Sequence, residues 1–255
     1  MSDDPGSIAA PGPLEGHIAL ITGASRGIGY HASKAFAAAG AHVVAVARTT
    51  GGLEELDDEI TALGANATLV PLDLTDYDGI DRLGAAIHER WGKLDVFFAN
   101  AGILGSLSPL GHVSPKEWDQ VIAINVTANW RLIRSLDPLL RQSDAGRVIV
   151  MSSGAAQNCR PFWGPYSVSK AAVVALARTY AGEVEKTTIR VVLVNPGPMR
   201  TAMRAKAMPG EDPMSLAHPA ELAPHLIEMA SPDFDKTGVL FDFPTKKFLE
   251  FQAPG

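Results

Sequence analysis

The sequence predicts an α/β fold in which a doubly wound, mostly parallel sheet of about seven strands carries helices on both faces. Short apolar segments typical of buried strands alternate with helical segments along most of the chain. A glycine-rich turn joins the first strand to the first helix. The length of 255 residues and a hydrophobic content of 46% suit one such domain.

Residues 1–13 are predicted to be a flexible tail that precedes a single domain of residues 14–255. The opening segment is acidic and rich in proline and glycine, unlike the basic and then apolar regions of a signal peptide. No apolar run approaches the roughly 20 residues that cross a bilayer. The single cysteine, Cys159, cannot form an internal disulfide, and we interpret it as a small packed residue. We expect a cytoplasmic protein.

The charge of the chain bears on its partners. A net charge of −6 is spread along the sequence without a basic block, so we expect no nucleic-acid partner and no membrane partner. Cysteine and histidine residues do not occur at the spacings of metal ligands, and no metal site is predicted.

The first strand, residues 17–22, leads directly into a glycine turn and then into an alanine-rich helix that Gly40 ends. Free backbone N–H groups and the positive end of the helix dipole then meet at one point, which favours a phosphate group. The spacing from Gly23 to Gly29 is Gly-x-x-x-Gly-x-Gly, not the usual Gly-x-Gly-x-x-Gly. A turn that serves packing alone is the alternative.

The second strand, residues 42–47, ends where a dinucleotide-binding protein meets the adenosine ribose. Proteins that bind NAD place a carboxylate there, whereas this chain has Ala47 followed by Arg48. A guanidinium binds a 2′-phosphate well, and Arg26 in the glycine turn could add a second positive charge. We therefore predict NADP(H) rather than NAD(H), with two solvated arginines as the alternative.

The middle of the chain continues the alternation of helices and strands. Helical spacing over residues 51–63 is followed by a strand at 68–72 and then by Asp73 and Leu74, where the aspartate suits a turn or a helix cap. A helix over 80–90 and a strand over 94–99 follow, and the strand leads into Asn100, Ala101 and Gly102.

A long helix is predicted over residues 117–136. Asn125 lies among its apolar positions, where a buried amide must find hydrogen-bond partners. A structural asparagine bonded to nearby backbone is one interpretation of it. The apolar positions are Trp118, Val121, Ile122, Ala128, Leu132 and Ile133.

The reactive side chains follow the strand at 147–151. Ser153 comes just after this strand, at the carboxyl edge of the sheet. Tyr166 and Lys170 are four residues apart on a predicted helix and would share one face. A nearby ammonium group favours the phenolate and lowers the pKa of a phenol from about 10, which makes Tyr166 a candidate acid/base. A solvated helix face is the alternative.

The last part of the predicted sheet contains a strand at 189–194, followed by Pro196, Gly197 and Thr201, and a short strand near 239–241. Residues 199–219 lack clear periodicity and are interpreted as a loop that can close over a ligand. A helix is predicted over 219–229.

Together these motifs resemble those of the short-chain dehydrogenase/reductase family, over about residues 14 to 242. The resemblance implies a Rossmann-like, dinucleotide-binding catalytic domain. Its motifs are Thr-Gly-x-x-x-Gly-Ile-Gly at 22–29, the aspartate at 73, Asn-Ala-Gly at 100–102, the asparagine at 125, the serine, tyrosine and lysine at 153, 166 and 170, and Pro-Gly-x-x-x-Thr at 196–201.

The resemblance implies a role for each site residue. Tyr166 would exchange the proton, Lys170 would lower its pKa and hold the nicotinamide ribose, and Ser153 would bond the substrate carbonyl. Asn125 would be the fourth catalytic residue and would hold a water that links the lysine to solvent. The implied cofactor-binding residues are Gly23, Ser25, Arg26, Gly27, Ile28, Gly29, Arg48, Asp73, Leu74, Asn100, Ala101, Gly102, Tyr166, Lys170, Pro196, Gly197 and Thr201.

The expected function is NADP(H)-dependent oxidoreduction between a small-molecule carbonyl compound and its alcohol. An apolar or aromatic substrate is favoured by the side chains that are expected to contact it. Arg160, Arg200 and Arg204 could hold an acidic group, but loop arginines in solvent are the favoured interpretation. A redox sensor that binds NADP(H) without turnover and a protein that docks through its C-terminus are the alternatives. The predicted substrate residues are Leu104, Phe162, Trp163, Met199 and Met203.

The C-terminal segment departs from the family pattern. Many members carry Asp-Gly-Gly near the C-terminus, whereas this chain has Asp242, Phe243 and Pro244. Members pair mostly through their long central helices and C-terminal segments, so the resemblance implies a homodimer or a homotetramer.

Overall fold

The computed structural model describes residues 12–251, so all but the last two residues of the predicted tail lie outside the described part. Within this range the chain folds into one eight-stranded sheet with helices on both faces. The strands are β1 (Ile18–Thr22), β2 (His42–Ala47), β3 (Ala67–Pro71), β4 (Val96–Ala99), β5 (Arg147–Met151), β6 (Arg190–Asn195), β7 (Val239–Asp242) and β8 (Lys247–Leu249).

The helices alternate with these strands as predicted. None of the helices found in the described residues is long and apolar enough to cross a membrane. They are α1 (Gly27–Ala38), α2 (Thr50–Ala62), α3 (Tyr77–Trp91), α4 (Pro115–Ile122), α5 (Ala128–Leu140), α6 (Ala155–Asn158), α7 (Gly164–Glu183), α8 (Ala202–Ala207) and α9 (Ala223–Ala230).

The strand order is β3-β2-β1-β4-β5-β6-β7-β8, and every pair is parallel except the last. The prediction of a doubly wound, mostly parallel sheet is confirmed. The sheet has one strand more than expected because the C-terminal segment turns back, and β8 pairs antiparallel with β7. The order reverses between β1 and β4, which is where open α/β sheets bind ligands.

The core lies on both sides of the sheet, as alternation along β4 illustrates. Val96 and Phe98 point into one apolar layer, while Phe97 and Ala99 point into the other. All four are buried. Because both faces of the strand are covered by helices, its sequence is continuously apolar.

Two predicted segments differ from the structure. The segment 199–219 was expected to be a loop, but it contains the short helix α8 and a 3₁₀ turn at Pro213–Ser215. The side chain of Thr201 begins α8 by accepting a hydrogen bond from the Arg204 N–H, a local cap that periodicity does not reveal. The predicted long helix at 117–136 is interrupted by a π-helical turn, Ala123–Thr127, between α4 and α5.

Candidate active site

A cleft of about 1280 Å³ opens at the carboxyl edge of the sheet, next to the point where the strand order reverses. The loops after β1, β2, β3, β4, β5 and β6 all contribute to its wall. Among the predicted catalytic, cofactor-binding and substrate residues, all but three line this cleft. The exceptions are Gly29, Asn125 and Phe162.

The glycine turn forms one end of the cleft. Helix α1 begins there without a side-chain cap and without an acidic residue in its first turn, so its backbone N–H groups are free for an anion. Gly23 and Gly27 both have a positive φ, of 68° and 58°. A Cβ atom on Gly23 would lie 3.0 Å from the Cα atom of Ala101, and one on Gly29 would collide with the Gly23 carbonyl. The glycines therefore allow close packing of the turn and leave the start of α1 without a side-chain cap.

Two arginines stand beside this turn at the end expected to hold the adenosine. Arg26 and Arg48 are exposed and line the cleft. The Nη1 atom of Arg48 lies 3.9 Å from the Oδ2 atom of Asp73. Asp73 also accepts hydrogen bonds from the N–H and hydroxyl of Thr75, and these bonds hold its pKa below the ordinary value. Asp73 is thus both a turn residue and part of the wall.

Asn100 fixes the floor of the cleft between β1 and β4. Its Nδ2 atom donates to the carbonyl oxygens of Thr22 at 2.9 Å and Gly23 at 3.3 Å. The Thr22 hydroxyl accepts from the N–H groups of Asn100 and Ala101, both at 3.1 Å. The end of the central strand and the glycine turn are therefore held together by one polar cluster.

The predicted reactive residues come together in the middle of the cleft. Tyr166 and Lys170 lie on α7, and the Nζ atom of Lys170 is 5.8 Å from the centroid of the Tyr166 ring. The ammonium group donates a hydrogen bond of 2.7 Å to the carbonyl oxygen of Met151, the last residue of β5. Ser153 follows two residues later, and its hydroxyl lies near enough to Tyr166 to act on the pKa of the phenol. The predicted acid/base, cation and hydroxyl thus line one wall.

The pKa of Tyr166 differs from the expectation. Burial raises it above the ordinary value of 10.0, and the hydrogen bond with Ser153 opposes this only in part. Burial also lowers the pKa of Lys170 from 10.5 to about 8. The net shift of the phenol pKa is therefore upward, opposite to the lowering predicted from the nearby lysine, because desolvation of the buried phenol is the largest contribution.

Asn125 is fully buried in the π-helical turn and does not reach the cleft. Its Oδ1 atom accepts from the Ile103 N–H at 2.8 Å, and its Nδ2 atom donates to the Ile103 carbonyl and to the Ser169 hydroxyl, each at 2.9 Å. Its own carbonyl oxygen accepts from the amide of Asn129. The side chain connects the loop after β4 to the helix that carries Tyr166. The expected role of Asn125 in holding a water that links Lys170 to solvent stays a prediction.

The part of the cleft that is expected to contact a substrate is mostly apolar and adjoins Tyr166. Leu104, Ala207 and the ring of Tyr166 form a small buried cluster against which Trp163 packs. The rings of Trp163 and Tyr166 meet edge to face with centroids 6.0 Å apart. Met199 is buried in the wall and Met203 lies partly exposed at the mouth.

Three arginines near this part of the cleft were expected to lie in solvent or to hold an acidic group. Arg200 donates to the carbonyl oxygens of Pro213 and Leu216, so it holds the chain after β6 together. Arg204 forms two charge-assisted hydrogen bonds with Glu211, of 2.5 and 2.6 Å. Arg160 is exposed and lines the cleft.

Two further residues of the loop after β5 depart from their predictions. The Phe162 side chain is 58% exposed, outside the cleft, and its φ of 73° turns the backbone away. Cys159 was expected to be packed, but it is exposed and has a left-handed φ of 43°. Both follow from the sharp turns after α6, a geometry that apolar content does not reveal.

One polar residue of the wall was not singled out from the sequence. Asn195, at the end of β6, accepts hydrogen bonds through its Oδ1 atom from the N–H groups of Gly154 and Gly197. Its Nδ2 atom donates to Asp242 at 2.7 Å. The signal was its place directly before Pro196 and Gly197 at a strand end.

Comparisons with known proteins agree with this architecture. The family model described as short chain dehydrogenase matches residues 17–212. The oxidoreductase YciK of Escherichia coli (strain K12) is 36% identical over 233 residues, which cover 90% of this chain and 92% of the relative.

Solved structures give the same result. A protein assigned as a short chain dehydrogenase from Pseudomonas syringae superposes with a TM-score of 0.89 at 36% identity, over 91% of this chain and 96% of that one. A second protein assigned as a short chain dehydrogenase, from Shigella flexneri 2a and in complex with NADP, superposes with a TM-score of 0.88 at 35% identity. The match covers 92% of this chain and 99% of that one.

The fold defines a Rossmann-like α/β protein of the kind that binds dinucleotides at the carboxyl edge of its sheet. The chain belongs to the short-chain dehydrogenase/reductase family and is an oxidoreductase.

Proposed function

We propose that this oxidoreductase uses NADP(H) to interconvert a carbonyl compound and its alcohol, with Tyr166 as general acid/base. The observation that carries the proposal is the position of the Tyr166 phenol. It is buried near Ser153, with the Lys170 ammonium group over its ring, in the same cleft that contains the glycine turn. A proton donor, a hydroxyl and a cation on one wall are the groups that carbonyl reduction needs.

The residues of this cleft fit a phosphorylated dinucleotide. The uncapped start of α1 offers N–H groups to the diphosphate, and Gly23 and Gly27 leave the space that side chains would fill. The arginines at 26 and 48 would hold a 2′-phosphate, which favours NADP(H) over NAD(H). The relative that was solved in complex with NADP supports this choice.

The chain's own residues supply the rest of the chemistry. When bound, the reduced cofactor supplies the hydride that the carbonyl carbon takes up. Tyr166 keeps its proton at neutral pH because burial raises its pKa, and it donates that proton to the carbonyl oxygen as the alcohol forms. Ser153 donates a hydrogen bond to the same oxygen, and Lys170 stabilises the phenolate that Tyr166 becomes. In the direction of oxidation the proton moves back to Tyr166.

An apolar or aromatic substrate suits the apolar part of the cleft beside these groups. Leu104, Trp163 and Met199 would cover its body, while the two nearest arginines of the chain after β6 are bonded elsewhere in the protein. Burial of such a body contributes about 25 cal/mol for each Å² of apolar surface removed from water. We therefore expect aryl and alkyl ketones or aldehydes to be better substrates than small polar ones.

The experiment that tests the proposal is NADPH consumption by the purified protein with a panel of aldehydes, ketones, diketones, quinones and 3-oxoacyl thioesters. Tyr166→Phe should reduce turnover by about a thousandfold while NADPH binding persists. Tyr180→Phe is the matched control, because Tyr180 lies on the same helix but bonds Asp137, away from the cleft. Tight NADPH binding without turnover of any compound would favour a binding protein and overturn the proposal.

A further inference from the structure

The side chain of Asn195 joins three segments of the chain at the carboxyl edge of the sheet. Its Oδ1 atom accepts two hydrogen bonds, from the N–H of Gly154 at 2.9 Å and from that of Gly197 at 3.2 Å. Its Nδ2 atom donates to the Oδ1 atom of Asp242 at 2.7 Å. The loop after β5, the loop after β6 and the end of β7 therefore meet on one amide.

Asp242 determines which end of the amide faces the two loops. A carboxylate only accepts hydrogen bonds, so the amide must turn its NH₂ toward Asp242 and its oxygen toward the N–H groups. Strand pairing places the two residues opposite each other in the sheet. The other carboxylate oxygen of Asp242 accepts from the Thr245 hydroxyl at 2.7 Å, which fixes the carboxylate in turn.

The two N–H groups belong to the walls of the candidate active site. Gly154 directly follows Ser153, and Gly197 forms the wall beside Pro196. Gly197 has a positive φ of 65°, and a Cβ atom there would lie 2.6 Å from the Cγ atom of Pro244. The C-terminal segment thus packs on this loop directly, in addition to reaching it through the amide.

We infer that Asn195 is a positioning residue for the reaction, and that Asp242 and the segment 242–245 act on the active site through it. The amide holds the loop that carries Ser153 at a set distance from the loop of Gly197. The inference rests on the proposed function for the part that concerns turnover. The inference assigns a role to residues 242–245, where this chain differs from the Asp-Gly-Gly of many family members. Through Asn195 this segment supports the active site.

Exchanging the two polar groups tests the inference. Asn195→Asp keeps the size of the side chain but sets a second carboxylate against Asp242, so kcat should fall by on the order of tenfold to a hundredfold. Asp242→Asn alone should lower kcat less than Asn195→Asp does, because its amide oxygen can still accept from Asn195 although its charge no longer fixes the orientation of that amide. The double variant restores a donor opposite a carboxylate and should recover kcat to within about threefold of the unchanged protein.

A readout besides turnover keeps the two proposals apart. Hydrogen exchange of the Gly154 and Gly197 amides, measured by mass spectrometry on NADPH-free protein, should speed up in Asn195→Asp and return in the double variant. Asn66→Asp, at an exposed position, is the control for added charge. Absence of turnover in the unchanged protein would defeat the proposed function alone. A double variant as impaired as Asn195→Asp, or exchange that the single variant leaves unchanged, would overturn the positioning role.

Discussion

Lys170 donates a hydrogen bond of 2.7 Å to the main-chain carbonyl oxygen of Met151. This bond joins the helix that carries Tyr166 to the end of the strand that precedes Ser153. It therefore helps to fix the position of Tyr166 relative to Ser153. Lys170 is 4% exposed and forms no ion pair within the part of the chain that the structure describes. An unpaired ammonium group in such a position is held at a cost in stability, and burial lowers its pKa to about 8.

The first prediction concerns the pH dependence of reduction. Lys170 is charged below about pH 8 and loses its proton above, whereas the raised pKa of Tyr166 keeps the phenol protonated over that range. The kcat/KM for NADPH at saturating carbonyl substrate should therefore be level near neutral pH and fall above about pH 8. Initial rates across this range would show it. A level profile up to pH 10 or so would contradict the assignment of Lys170.

The second prediction concerns stability. Lys170→Met replaces a buried ammonium group by an apolar side chain of similar length, and the melting temperature of the cofactor-free protein should rise. The free energy of unfolding should increase by about 1–2 kcal/mol, since the relieved burial of charge exceeds the loss of the bond to Met151. Activity should be lost in the same variant. Thermal and urea unfolding at neutral pH would measure the gain.

The pH dependence of that gain provides its control. The pKa of Lys170 is lowered in the folded protein from 10.5 to about 8, so the unfolded chain binds more protons between these values. The stability of the unchanged protein therefore rises with pH in this window, and the advantage of the methionine variant shrinks. An advantage that is the same at neutral pH and near pH 10 would show that it comes from packing instead.

The third prediction concerns the choice of cofactor. Arg48→Gln should raise the dissociation constant of NADPH by about 10- to 100-fold, because a charge-assisted contact to the 2′-phosphate is lost, and should leave that of NADH nearly unchanged. Arg82→Gln is a matched control, since Arg82 is also exposed and pairs with an aspartate, Asp76, but lies outside the cleft. Fluorescence titration would measure both. Equal effects on NADPH and NADH would contradict the role of Arg48.

The fourth prediction concerns the ion pair between Arg204 and Glu211, which connects α8 to the turn that follows it near the expected substrate site. Arg204 and Glu211 hold α8 against the following turn, and the pair lowers the pKa of Glu211 and raises that of Arg204. Glu211→Gln should loosen α8 and raise KM for a neutral apolar substrate by about two- to fivefold, with a smaller change in kcat. Steady-state kinetics would test this, with Glu228→Gln as the control. An unchanged KM would mean that α8 does not depend on the pair.

The order of strands and helices could be predicted from the sequence because it depends on neighbours along the chain. The boundaries of β2 and β5 agree with the residues chosen from apolar runs. Three motifs could also be recognised from neighbouring residues of the chain. They are the glycine turn, the asparagine after β4 and the spacing of Tyr166 and Lys170. Strand ends in a parallel sheet meet at one edge, so these motifs predicted a shared cleft.

Features that depend on contacts across the fold were not predictable in this way. The π-helical turn at Asn125 accompanies an amide that bonds Ile103 and Ser169, which come from other elements. The partner of Arg204 and the antiparallel pairing of β8 also depend on how separate segments approach each other. The periodic pattern of apolar residues does not predict contacts between segments that are distant in the chain.

By itself the sequence determined the class of fold, the family and many of the residues that meet in the cleft, since glycine turns, strand ends and helical spacing depend on consecutive residues. The tertiary structure decided what those side chains experience. It buries the phenol of Tyr166 and the ammonium group of Lys170, which raises one pKa and lowers the other, and it brings Asn195 to Asp242. Desolvation and charge depend on all neighbours in space, and the fold alone sets those neighbours.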